Sequence, residues 1–178
     1  MKSLKMIAII MIVMFTVIGC GQADGPKTPK EVFQPDWYGI QDNVDYVFSY
    51  GKAEKSSEDM AFEAAKANAY LEAAQYVKSH VKGMIKNYME EAGVDNPQIT
   101  ALTSKVVKVV SDAKFSNTMI SQRKSYVAEN GYLSFVRLSL PKAEINKNML
   151  DQIKNEEALY NQFKSSQAFK ELDNELAK

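Results

Sequence analysis

Ser56-Ser57-Glu58-Asp59 opens a helical pattern that runs to Glu91, and no other stretch of the chain constrains its fold as strongly. Hydroxyl side chains followed by acids in the first turn are a helix-start signal. Met60, Ala64, Ala67, Leu71 and Ala74 then recur in steps of four and three, continued by Val81, Ile85 and Tyr88. Lys78 interrupts this line, with Val77 beside it. Alanine favours helix and lets one backbone come close to another. The pattern predicts a long core helix lying on a sheet, ended by Gly93.

The flanking segments supply the sheet. Val44 to Ala53 (VDYVFSYGKA) is rich in β-branched and aromatic residues, with Tyr46, Phe48 and Tyr50 on one face at strand period. After the long helix, Asn96-Pro97 opens a second one, striped by Ile99, Leu102, Val106 and Val109 or Val110. Two strands follow, about Phe115 to Ala128 and Tyr132 to Leu140, around Asn130-Gly131. That dipeptide predicts a tight type I′ hairpin, with positive φ at both positions. In the last strand Tyr132, Ser134, Val136, Leu138 and Leu140 share a face, and Pro141 ends it.

Lys142 to Lys178 is helical and strongly charged, with an uneven apolar stripe through Ile145, Met149, Ile153, Tyr160, Phe163, Phe169, Leu172 and Leu176. Ser165-Ser166 is where it bends or divides. The order β-α-α-β-β-α predicts an α+β fold: one compact domain over residues 35–178, with a three-stranded antiparallel sheet packed against helices.

A different kind of segment precedes the domain. Two lysines, Lys2 and Lys5, stand before an apolar run from Met6 to Ile18 that only Thr16 breaks. These 13 residues fall short of a bilayer span, which needs about 20. They match the head and middle of a secretory signal. The run ends Val17-Ile18-Gly19-Cys20, which resembles a bacterial lipobox, and Cys20 is the chain's one cysteine. The resemblance implies cleavage between Gly19 and Cys20, with fatty acyl chains such as palmitate carried on Cys20. Residues 1–19 are thus read as a lipoprotein signal peptide. Residues 20–34 are read as a lipidated flexible tether, polar and punctuated by Gly25, Pro26 and Pro29. Gly21 stands where an aspartate retains enteric lipoproteins at the inner membrane, so the outer membrane is the expected location.

The order of these pieces resembles the LPP-twenty lipoprotein family. The points of contact are the lipobox, Pro35-Asp36-Trp37 after a polar tether, and Tyr50-Gly51-Lys52-Ala53-Glu54 closing the first strand. The alanine-spaced Ala65-Lys66-Ala67-Asn68-Ala69 follows, and a hairpin ends Phe135-Val136-Arg137-Leu138. An arginine often seen in the alanine-rich segment is absent, and the C-terminal helical region is longer. The resemblance implies a compact α+β domain with a non-enzymatic role at the outer membrane. Some members of that family build rings around the flagellar motor, and others are surface antigens.

The residues themselves point away from catalysis, metal and cofactor. His80 is the one histidine, so no histidine cluster forms. It is read as a partly exposed surface residue between Lys78 and Lys82. The acid pairs Glu90-Glu91 and Glu156-Glu157 are sequence neighbours, which diverge on a helix surface. Gly51 and Gly131 read as isolated turn glycines, not a phosphate-cradling loop. The chain carries 22 basic and 22 acidic residues, and loss of the signal peptide leaves a net charge near −2. Nucleic acid, which needs a basic excess, is not an expected partner.

Binding is the expected activity. Trp37 and Tyr38 read as the cover of one end of the core, with contact to a ligand or wall polymer as the alternative. Phe163, Phe169, Leu172 and Leu176 are the candidate partner face, provided that they do not all fit inside the domain. The expected partners are the membrane, through lipids on Cys20, and a second copy or another envelope or flagellar protein. The alternative is a periplasmic or surface lipoprotein binding a small ligand or a host or envelope partner. Its pocket is expected between the alanine-rich helix and the sheet, at Ala64, Ala67 and Ala74.

Overall fold

Three strands and five helices follow one another in the computed structural model, which describes residues 33–39, 41, 43–113 and 118–176. They are β1 (Tyr46–Lys55), α1 (Glu58–Glu91), α2 (Pro97–Ser111), β2 (Met119–Ala128), β3 (Gly131–Pro141), α3 (Lys142–Asn155), α4 (Glu157–Phe163) and α5 (Gln167–Leu176). The fold is α+β, with an antiparallel sheet in the order β1-β3-β2. The described core lies within the unit Gln34–Lys178. The expected leader and all of the tether up to residue 32 lie outside the described residues, as does Phe115, the expected start of β2.

Local chemistry sets the helix ends. Ser57 Oγ accepts the Met60 amide, and two acids follow it in the first turn of α1. Gly93, at φ +64°, turns the chain out of α1. Asn96 caps α2 through the Gln98 amide at 2.9 Å, with Pro97 at the first helical position. The C-terminal region divides at Ser165-Ser166 as expected, and also at Glu156, giving three helices.

At the β2–β3 turn the hairpin forms one residue out of the expected register. Ala128 pairs with Gly131, so Glu129 and Asn130 are the turn residues. Neither has positive φ; Gly131 does, at +152°. A side chain disfavours the left-handed region at Glu129, so the unusual conformation passes to the residue without one.

The buried line of α1 is Ala61, Ala65, Ala69, Ala73, Val77, Val81, Ile85 and then Tyr88. It coincides with the expected stripe from Val81 onward. In the first half of the helix the two differ: Met60 and Leu71 are 56% and 60% exposed, and Ala67 is exposed too. Steps of four overshoot a turn by about 40°, so the buried line winds around the helix. The early alanines face the sheet, and the later, larger residues continue the same core among α2, α3 and α5.

Gly51 marks the closest approach. It is buried inside β1 and is not a turn glycine. A Cβ there would overlap the Ala65 carbonyl oxygen and lie 2.5 Å from the Ala69 nitrogen. The sheet accommodates the helix by pairing small with large: Ser49 sits opposite Leu138, and Gly51 opposite Val136. Thus α1 settles over β1 while β3 fills the flank. Side chains of α1 also close the outer edge of β1. The Tyr50 amide donates to the Glu72 carboxylate, and Asn68 Nδ2 donates to the Lys52 carbonyl at 2.9 Å.

At the far end of α1, Tyr88 is 1% exposed, with its ring 5.8 Å from Phe163 and 5.5 Å from Phe169. Its hydroxyl has no hydrogen-bond partner among the described residues. Burial, and secondarily the nearby Glu91 carboxylate, push its pKa from the ordinary 10.0 up to about 12. The unfolded chain therefore loses this proton first. Stability from this group is intact below pH 10 and declines as the pH rises toward about 12. Tyr88→Phe is expected to remove that part of the alkaline decline and to leave neutral-pH stability unchanged or raised by up to about 1 kcal/mol. Urea unfolding of both proteins at neutral and alkaline pH measures it.

Candidate functional site

The outer face of the sheet, away from α1, carries Phe48, Tyr50, Phe135 and Arg137. The odd–even parity of β1 puts Tyr46, Phe48 and Tyr50 here, while Val47, Ser49 and Gly51 are buried on the other side. The segment around Pro35 covers this face, held in a turn by the Tyr38 amide donating to the Pro35 carbonyl at 2.8 Å. Tyr38 stands edge-on to Phe135 at 4.8 Å and to Tyr50 at 5.5 Å, with Trp37 6.1 Å away from Tyr38. Trp37 and Tyr38, both half-buried, therefore cover the sheet's outer face and not one end of the core. Burial raises the Tyr38 phenol pKa, with a smaller push from Glu72. Arg137 lies 4.4 Å over the Phe48 ring and donates to Gln41 Oε1 at 2.6 Å and to Ser121 Oγ at 3.0 Å, which fixes the guanidinium.

The C-terminal candidates have a different fate. Phe163, Phe169 and Leu172 are 0%, 1% and 6% exposed, and Leu176 packs against the same core. The first three are inside the domain and unavailable to a partner, while Leu176 is half-buried against them. The physical reason is the length of α1. At 1.5 Å per residue its 34 residues reach about 51 Å, well past strands of about 35 Å, and its far end needs apolar cover. The Glu91 carboxylate locks that cover in place. It accepts Ser166 Oγ at 2.7 Å and the Ala168 amide at 3.0 Å, and these bonds, Ser166 first, hold its carboxyl below the ordinary range.

Other groups singled out in the sequence are dispersed. His80 is half-buried, hydrogen-bonded to Asn146 Oδ1 at 3.0 Å and stacked on Tyr76. Glu156 pairs with Lys105 at 2.5 Å. Among the described residues no three His, Cys, Asp or Glu side chains gather as a metal site, and no helix is long and apolar enough to cross a membrane. Gly19 and Cys20 lie outside the described residues.

The expected pocket between helix and sheet is closed near Ala64 and Ala67, because the two backbones touch at Gly51. A groove of about 720 Å³ lies instead between α1 and α2. Its floor is apolar, formed by Ala74, Ile85, Met89 and Val107. Lys78, Lys82 and Lys86 line it from α1, and Lys108 from α2. A neighbouring groove of about 510 Å³ reaches Leu140 on β3 and shares Ala74. Neither includes Ala64 or Ala67, which sit elsewhere on the helix. The lysine line is hidden in the sequence because Lys78 reads there as a break in an apolar stripe. Its signal is the repeat of lysine at every fourth position. No family model, curated protein or solved structure matches this chain.

Proposed function

We propose that this protein is a lipid-anchored lipoprotein of the bacterial outer membrane with a structural or assembly role in the envelope, its flagellar association being what the family resemblance suggests. One observation carries the reading: Val17-Ile18-Gly19-Cys20 ends a short basic-then-apolar leader and is followed by a polar, proline-punctuated segment. Acyl chains on Cys20 supply attachment at about 0.8 kcal/mol per buried CH₂, and two or more chains make it stable. The domain then works at high effective concentration in two dimensions, so weak contacts with another copy or another envelope component suffice. Of the six candidate contact residues, Trp37, Tyr38 and Leu176 are half-buried and the other three buried. The test is crosslinking in intact cells combined with membrane fractionation. The expected result is an outer-membrane protein crosslinked to itself or to an envelope component. A protein that stays soluble, or that yields monomer alone at every crosslinker dose, overturns the reading.

A second reading, a lipoprotein that binds a small ligand, is favoured by the groove between α1 and α2. Its volume lies within the range of about 300 to 1,000 Å³ usual for ligand sites.

A further inference from the structure

Lys78, Lys82 and Lys86 stand at successive fourth positions of α1, on one side of the helix. Like charges at that spacing destabilise a helix by a few tenths of a kcal/mol per pair. Acids usually relieve such a row, and here they do so at one end alone. Lys86 meets Glu90 at 3.4 Å. The positions three and four residues away from Lys78 and Lys82 hold no acid. Neither lysine forms a salt bridge among the described residues. Across the groove stands a fourth lysine, Lys108, with Asp112 as the one acid in the lining. Lys78 and Lys82 therefore line the groove without a salt-bridge partner among the described residues, beside the paired Lys86 and with Lys108 and Asp112 across from them.

The floor beneath them is apolar, and the shape of the space limits what enters. From Ala74 to Met89 the groove follows α1 for about 22 Å, long enough for an extended hydrocarbon chain. A single hydrocarbon chain can lie along that length of apolar floor. A small polar anion has no use for the floor, and a neutral lipid has none for the lysines.

From this geometry we infer that the α1–α2 groove binds a single-chain anionic amphiphile. The acyl chain lies along Ile85, Met89 and Val107, and the carboxylate or phosphate head is held by Lys78 and Lys82. The inference rests on the ligand-binding reading and not on the anchor, so it stands or falls separately from the modification of Cys20.

The test uses residues 20–178 carrying Cys20→Ser, so that no attached lipid competes; the described core lies within Gln34–Lys178 and is retained whole. Oleate, lysophosphatidylglycerol and a neutral monoacylglycerol are titrated below their micelle concentrations, with stoichiometry read by native mass spectrometry and affinity by calorimetry. Both anionic probes are expected to bind one per chain and to raise the melting temperature, and preference between them identifies the head group as carboxylate or phosphate. The neutral probe is expected to bind at least tenfold more weakly. Lys78→Glu with Lys82→Glu, two exposed positions, is expected to weaken the anionic probes at least tenfold without lowering the melting temperature of the free protein. Val107→Trp, which fills the floor, is expected to abolish binding while circular dichroism stays unchanged. Equal affinity for neutral and anionic probes, or no effect of the two glutamates, overturns the inference. So does association with phosphatidylglycerol vesicles or an acidic helical peptide without binding of the monomeric amphiphiles.

Discussion

Gly51→Val is expected to prevent folding altogether, and Gly51→Ala to cost about 3 kcal/mol or more. The cause is a collision with main chain. The added Cβ meets the Ala65 carbonyl oxygen and the Ala69 nitrogen, so shortening a side chain of α1 makes no space. Ala65→Gly and Ala69→Gly should therefore fail to rescue either variant. Gly83 is the control. It lies within α1 itself, where an added Cβ would meet nothing within 4 Å, and Gly83→Ala should stabilise by about 1 kcal/mol. Urea midpoints measure all of these. A Gly51→Ala protein as stable as the parent would mean that α1 does not rest on β1 as described.

Phe163→Ala is expected to destabilise by about 3 to 5 kcal/mol, a large part of the roughly 5 to 15 kcal/mol that holds an ordinary domain together. Phe163 is fully buried against Tyr88 and Phe169, and its removal leaves a cavity that three helices must close. The same substitution separates core from docking face. A core residue lowers the urea midpoint of the isolated chain at every protein concentration. A docking residue leaves the monomer's midpoint alone and weakens association.

The element order and the α+β class are legible in the sequence because each element carries its own local signal. Serine and acids open α1, Asn96-Pro97 opens α2, Asn130-Gly131 marks the hairpin to within one residue, and Ser165-Ser166 marks one of the two C-terminal breaks. Register is less legible. A straight 3.6-residue stripe through Met60 and Leu71 assumes a helix with one neighbour, whereas α1 passes from the sheet to other helices. Its buried line winds in steps of four to follow them. Parity in β1 groups the large aromatics on one face but does not say which side α1 takes; they form the layer under Tyr38. Gly51 looks like punctuation because a sequence cannot show which backbone will lie against it. The groove is illegible because it arises between two helices, and its lysines acquire meaning from what faces them. The candidate anchor is the opposite case: it is read from a local motif, and it falls outside the described residues.

Whether Cys20 carries the lipid is decided by metabolic labelling. Cells producing the full chain, or the full chain with Cys20→Ser, are grown with an alkyne fatty acid, and the purified proteins are compared by in-gel fluorescence and intact mass. The prediction is a wild-type mature protein that begins at Cys20, carries acyl mass and is labelled, beside an unlabelled and uncleaved Cys20→Ser protein. Equal labelling of the two, or a wild-type protein with an unmodified thiol, would contradict the anchor.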